Sequence, residues 1–215
     1  MNMNLSGMNI GEFALAGILM GLSAGISPGP LLNLVVSETL RHGRKKGFRV
    51  AIAPLITDLP IILVSLFALS TISGYKAVLG IVSFAGSLFV AWLGFESLLA
   101  KKQNITDEKI NRDTLKKAIL VNFLNPHPYL FWITIGSPLV LKASKSGLTT
   151  VVIYFFCFYF FLVGSKIAVT LLVDRSRNFL SGKIYTWLLR ILGLSLLVFS
   201  VLFFMEGIKI FSGLN

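Results

Sequence analysis

Apolar residues run through this chain in blocks too long for one face of a soluble helix and too continuous for strand alternation. About 20 predominantly apolar residues are needed to cross roughly 30 Å of hydrocarbon. Six such stretches, at 9–40, 48–71, 77–99, 117–141, 147–173 and 187–211, are separated by short polar or glycine-containing breaks. The pattern predicts an all-α polytopic membrane protein with six transmembrane helices. The first stretch is too long for a simple crossing and contains Ser27-Pro28-Gly29-Pro30. Proline removes a backbone donor and clashes with the preceding turn, so this stretch is expected to break into two half-helices. A cleaved signal peptide is the competing reading of the N-terminus. Residues 1–8 carry no Lys or Arg, and the apolar run continues through the Pro-Gly-Pro into further apolar segments, which argues against it.

Three crossings before the third polar segment and three after it would place two halves in opposite orientation. That is the inverted-repeat plan of many secondary transporters. The expected organisation is a first three-helix repeat at 1–99, a basic cytoplasmic loop at 100–116 and a second three-helix repeat at 117–215. The halves carry related motifs, Ser27-Pro28-Gly29-Pro30-Leu31-Leu32 and Asn125-Pro126-His127-Pro128-Tyr129-Leu130. Each reads small polar, Pro, x, Pro, apolar, Leu, so each repeat is expected to have a Pro-broken first helix. The depths match if the fourth helix starts at Thr106-Asp107-Glu108, a cap followed by acidic first-turn residues, since Asp107 precedes Pro126 by 19 residues as Asn9 precedes Pro28. One such motif would be an ordinary kink. A pair in corresponding places points to a binding site, because broken backbone exposes donors and acceptors that an intact helix uses internally.

Composition agrees with the pattern and adds charge. The chain has 215 residues, 55% hydrophobic and 13% charged, with a mean hydropathy of +0.81. Its 20 Lys and Arg against 9 Asp and Glu leave a net charge of +11. In a soluble protein that excess would suggest a nucleic-acid surface. Here 15 of the 20 cations fall in or beside the first, third and fifth polar segments, the alternation that the positive-inside rule requires. Loops one, three and five are therefore expected in the cytoplasm, both termini outside, and nucleic acid is not among the expected partners. The single Cys157 lies in an apolar run, so no intrachain disulfide, thiolate cluster or paired-thiol electron relay can form.

Ionisable groups at membrane depth mark a function or a pair. Asp58 lies mid-span between Pro54 and Pro60, and Lys166 lies seven residues before the end of the fifth stretch, placed either to pair with Asp58 or to snorkel. Glu12, Glu38, Glu96 and Glu206 sit near span ends and read as solvated interfacial residues. Asn33, Asn122, Asn125, Thr134 and Ser137 are neutral groups fit to line a pathway or to bond across helices. His127 can carry a proton or serve as a structural hydrogen-bonding residue. Gly17, Gly21 and Gly25 share a helix face suited to close packing. No zinc-protease or deaminase spacing, phosphate loop or nucleophile elbow occurs, so no enzyme and no cofactor is expected.

In order along the chain, these residues resemble the lysine exporter (LysE-type) family of amino-acid export permeases, which includes the homoserine and threonine efflux proteins. The resemblance spans essentially the whole chain. It rests on Pro28-Gly29-Pro30 in the first helix, the basic Gly43-Arg44-Lys45-Lys46-Gly47, Thr57-Asp58 where the family has Gly-Asp, and Asn125-Pro126-His127 where it has Asn-Pro-Lys. Thr57 and His127-Pro128 are departures from the family pattern. The resemblance implies a proton-driven exporter of an amino acid or similar small zwitterion, in the cell membrane. Ser27, Pro28, Gly29, Pro30, Asn33, Asp58, Asn125, Pro126, His127 and Lys166 are its expected substrate-binding or coupling residues. Membrane lipids and a small-molecule substrate are the expected partners, and homo-oligomerisation is left open. The alternative is a membrane-embedded scaffold or partner subunit whose helix breaks are purely architectural.

Overall fold

The computed structural model describes residues 9–69, 72–99, 113–177 and 182–212. Among these the chain is helical almost throughout, with no strand. Helix α1 (Ile10–Ile26) starts at a capping box: the Asn9 side chain accepts from the Glu12 amide, and the Glu12 carboxylate accepts from the Asn9 amide. It ends at Ser27, and α2 (Pro30–His42) leaves at a bend of 60°. The expected pair of half-helices is present, with Pro30 at the first-turn position where its missing N–H costs nothing.

Gly43 alone separates α2 from α3 (Arg44–Ala51). Its φ of 81° lies in the left-handed region that glycine enters without steric cost. The basic Gly43–Gly47 segment, expected as a loop, is thus a one-residue turn followed by the first turn of α3. Helix α4 (Ala53–Leu69) follows after Ile52, where Pro54 withholds a donor, and it continues through Pro60. Then come α5 (Ile72–Leu99), α6 (Asp113–Phe123), α7 (Pro126–Phe131), a π-helical turn (Trp132–Gly136), α8 (Ser137–Lys145), α9 (Leu148–Arg177) and α10 (Gly182–Ser212). The expected start of the fourth stretch at Thr106-Asp107-Glu108 lies outside the described residues.

The stretch 117–141, expected as one helix with a break, is divided twice. One division is the expected Asn125-Pro126. The other, the π turn, was not expected from the pattern; Pro138 accounts for it, because it cannot donate to the Thr134 carbonyl. The Ser137 amide reaches back five residues to the Trp132 carbonyl instead. Among the described residues three stretches are long and apolar enough to cross a membrane, Arg44–Ser65, Leu148–Ser176 and Thr186–Ser212, and the bent α1–α2 pair makes a fourth if counted as one. Gly80–Glu96 of α5 is a shorter apolar stretch among the described residues.

Two long helix pairs organise the bundle. Gly17, Gly21 and Gly25 of α1 face Tyr154, Phe158 and Leu162 of α9 in ascending order, so these helices run parallel. A Cβ at Gly21 would collide with the Phe158 carbonyl, so glycine sets how closely α9 approaches. Helices α5 and α10 run antiparallel, with Gly80 against Phe211 and Gly94 against Leu197. A central core of Leu34, Val35, Val50, Val90, Val121 and Leu196 joins the pairs. The outside is apolar: Leu19, Leu63, Leu88, Phe156, Phe160 and Val198 are all exposed.

One end of the bundle is polar. Arg41 and Lys117 both pair with Glu96, at 3.2 and 3.0 Å. Thr114 Oγ1 donates to Glu38, His42 Nδ1 lies 3.3 Å from the same carboxylate, and the Arg44 amide donates to Asp174. These contacts gather the ends of α2, α3, α5, α6 and α9. Glu38, expected at a solvated position, is instead only 4% exposed and satisfied by His42 and Thr114. At the other end Phe13 of α1, Ala143 of α8 and Tyr154 of α9 pack together.

The glycine contacts can be separated from helix propensity. Gly164, in the facing helix α9, has open space around a built Cβ. Gly21→Ala is expected to lower stability by about 1–3 kcal/mol through overpacking, whereas Gly164→Ala is expected to be neutral or stabilising by about 0.5–1 kcal/mol. Thermal unfolding of the two variants in detergent checks this, and equal effects would contradict the close approach.

Candidate functional site

The two proline breaks lie on one cavity. Its volume is about 370 Å³, at the lower end of the range typical of small-molecule sites. The break after α1 contributes Ser27, Pro28 and Gly29, and the break after α6 contributes Asn125, His127 and Pro128. Asp58 from α4 and Lys166 from α9 complete its polar lining with Asn122 and Ser23. Of the residues expected from sequence, Ser27, Pro28, Gly29, Asp58, Asn125, His127 and Lys166 therefore line one space. Pro30 and Pro126 are buried at the first positions of α2 and α7 and stand behind that lining. Asn33 lies off it, its amide donating to Ser195 Oγ of α10 at 2.8 Å.

Each break satisfies its freed backbone in its own way. Chain departure at Ser27 leaves the last carbonyls of α1 without intrahelical partners. Lys166 Nζ donates to Gly25 O at 3.0 Å and to Ala24 O at 3.4 Å. A cation there also suits the negative end of the helix dipole. Lys166 is 3% exposed and so does not snorkel, and it forms no ion pair with Asp58 among the described residues. Both expectations for this residue give way to carbonyl capping, because the orphaned acceptors are nearer. On the other side of the break Gly29 offers α2 no side-chain cap. The first-turn amides of Leu31 and Leu32, both lining residues, have no intrahelical acceptor. At the second break the Asn125 side chain caps α7 by accepting from the His127 amide at 3.1 Å.

Asp58, 4% exposed, is held by neutral donors. Asn122 Nδ2 donates to Asp58 Oδ1 at 3.1 Å and to Thr57 Oγ1 at 2.6 Å, and Thr57 Oγ1 donates to Ala53 O at 3.1 Å. Tyr159 and Trp132 lie beside the same carboxylate. Thr57, a departure from the expected glycine, thus becomes part of the bridge from α4 to α6. His127 is exposed, with its ring 6.0 Å from that of Phe203.

The apolar lining was largely missed from sequence. It includes Met20, Leu31, Leu32, Phe131, Ile135 and Phe158. For Ser23 the signal was present, four residues before Ser27 and therefore on its helix face. For Phe158 and Leu162 there was none, since α9 is apolar on every side.

The LysE type translocator model matches residues 22–207, spanning both breaks, Asp58 and Lys166. The chain belongs to the LysE family. Members of this family are membrane transporters and not enzymes. Among curated relatives, the Chemotactic transduction protein ChpE of Pseudomonas aeruginosa is 32% identical over 133 residues, 58% of this chain and 64% of that protein. The match therefore covers less than two thirds of ChpE. The Putative amino acid efflux protein YcgF of Bacillus subtilis is 24% identical over 198 residues, covering 89% of this chain and 95% of that protein. No solved structure matches the chain significantly.

Lys166→Met in this LysE family member would leave the Gly25 and Ala24 carbonyls unbonded at depth. A hydrogen bond from a charged donor contributes about 1.5–3 kcal/mol, and a loss of that order is expected. Thermal unfolding in detergent measures it, and a variant as stable as the parent would remove Lys166 from its capping role.

Proposed function

We propose that the protein is a secondary transporter of the cell membrane that exports an amino acid or a related small zwitterion from the cytoplasm in exchange for protons. The observation that carries this reading is the single cavity at both helix breaks, which holds one buried acid and one buried cation apart from each other. A zwitterion presents the complementary pair of charges. Its carboxylate would meet Lys166 and the free amides at the start of α2, and its ammonium would meet Asp58.

Asp58 is the one carboxylate among the cavity-lining residues. A proton and a substrate ammonium would therefore compete for it. Mutually exclusive occupancy of one carboxylate is sufficient for exchange: the substrate leaves on one side as a proton arrives, and the proton is released on the other. The relative named for amino acid efflux is in keeping with this reading.

The packing supports six crossings arranged as two inverted repeats. Exchanging the halves maps the α1–α9 pair onto the contact of α6 through α8 with α4, and maps the α5–α10 pair onto itself. Each break also meets the last helix of the opposite half: Asn33 after the first break bonds Ser195 of α10, and Leu124 at the second lies against Gly86 of α5. The polar cluster gathers the flanks of the first, third and fifth polar segments at one end, in keeping with a cytoplasmic location for all three and both termini outside.

A second reading, a scaffold or partner subunit, is favoured by the name of the chemotactic relative. A scaffold tolerates polar-to-apolar changes at Asn33, Asp58 and Asn125 once folded, whereas a carrier does not. The decisive measurement is efflux from loaded proteoliposomes under an imposed pH gradient. Asp58→Asn is expected to abolish the gradient-driven component, and undiminished efflux by the folded variant would sink the coupling assignment.

A further inference from the structure

We infer that the transported molecule is an amino acid with an uncharged, apolar side chain of the leucine or phenylalanine kind, and that basic and acidic amino acids are excluded. The inference rests on the export reading above and concerns what that reading leaves open, the side chain. The charge inventory of the cavity is short. Asp58 and Lys166 are its acid and its cation among the described residues, with His127 as the remaining titratable group. The α-ammonium and α-carboxylate of any amino acid engage both.

A lysine or arginine side chain would then carry a second positive charge into the site. Among the described residues no acid besides Asp58 lines the cavity. Glu38 is engaged by His42 and Thr114, and Glu96 by Arg41 and Lys117, at the polar end of the bundle. Glu12 caps α1 at the other end. A glutamate side chain meets the mirror problem, since Arg41 and Lys117 are held at that polar end by Glu96. An unpaired charge at membrane depth is strongly disfavoured.

What remains for the side chain is an apolar wall. Phe131 stacks on Phe158 with ring centroids 5.5 Å apart, and Trp132 meets Phe158 edge-on at 5.4 Å. Met20 and Leu162 extend that surface, and Ile135 from the π turn lies along the same cavity. Residues of the first, fourth and fifth apolar stretches thus converge on one hydrophobic subsite beside the polar pair. Burial of an apolar substituent there is favourable and non-directional, so the subsite selects for character more than for shape.

The test is counterflow into liposomes containing the full-length protein, with labelled leucine, phenylalanine, lysine and glutamate as probes. Leucine or phenylalanine is expected to exchange at least about tenfold faster than lysine or glutamate. Lysine or glutamate exchanging as fast as the apolar pair would overturn the inference while leaving amino-acid export intact. Exchange of none of the four would overturn both. A second arm adds an acid to the wall: Ile135→Glu, with Met20→Glu as an independent placement, is expected to raise the lysine-to-leucine ratio at least about tenfold. An unchanged ratio in both folded variants would contradict placement of the side chain against this surface.

Discussion

Backbone polar groups away from water must find partners inside the protein, and in this chain that demand falls hardest at Ser27–Gly29, where α1 stops and α2 turns away. The carbonyls of Ala24 and Gly25 lose their helical donors there. Lys166 supplies replacements from α9, and it reaches them because Gly17, Gly21 and Gly25 let α9 approach α1 closely. The glycine face, the break and the buried lysine are therefore one device. Without the glycines the lysine would stand too far off. Without the lysine the break would leave acceptors unsatisfied.

The second break solves the same problem with neutral groups. Asn125 caps α7 with its own side chain, while Asn122, one turn earlier, reaches across to Thr57 and Asp58. The π turn that follows is a third backbone adjustment, forced by Pro138, and it presents Trp132 and Ile135 to the cavity. Pro54 and Pro60 flank Asp58 on α4 in the same way. The prolines of this chain concentrate where a regular helix would have sealed off the polar groups that the cavity needs.

These residues also explain how far the sequence could be read. Both breaks, the close-packing glycines and the singling out of Asp58, which is buried on the cavity, were legible because proline, glycine and aspartate have few other reasons to lie in an apolar run. The gathering of three basic flanks at one end was legible as charge alternation. The partner of Lys166 was not, because bare carbonyls carry no residue signature and the competing charge, Asp58, was the conspicuous choice. The burial of Glu38 was hidden for a related reason: its partners, Thr114 and His42, are ordinary residues whose proximity depends on how α2 meets α6. The apolar wall was illegible because almost every position of α9 is apolar, and only packing distinguishes Phe158, buried, from Phe156, which faces outward.

The separation of Asp58 from Lys166 bears directly on the proposed exchange. Had the two formed a direct ion pair, each would satisfy the other, and a zwitterion would have to break that pair before binding. Lys166 instead donates to carbonyls, and Asp58 accepts from an amide, so the local partners of each are neutral. With acid and base both ionised their charges cancel, which limits the cost of keeping the empty site in an apolar surround. Yet it presents an acid and a base that are not paired directly with each other. The same argument gives the first helix break its place, since broken backbone offers neutral acceptors that hold a buried ammonium without neutralising it.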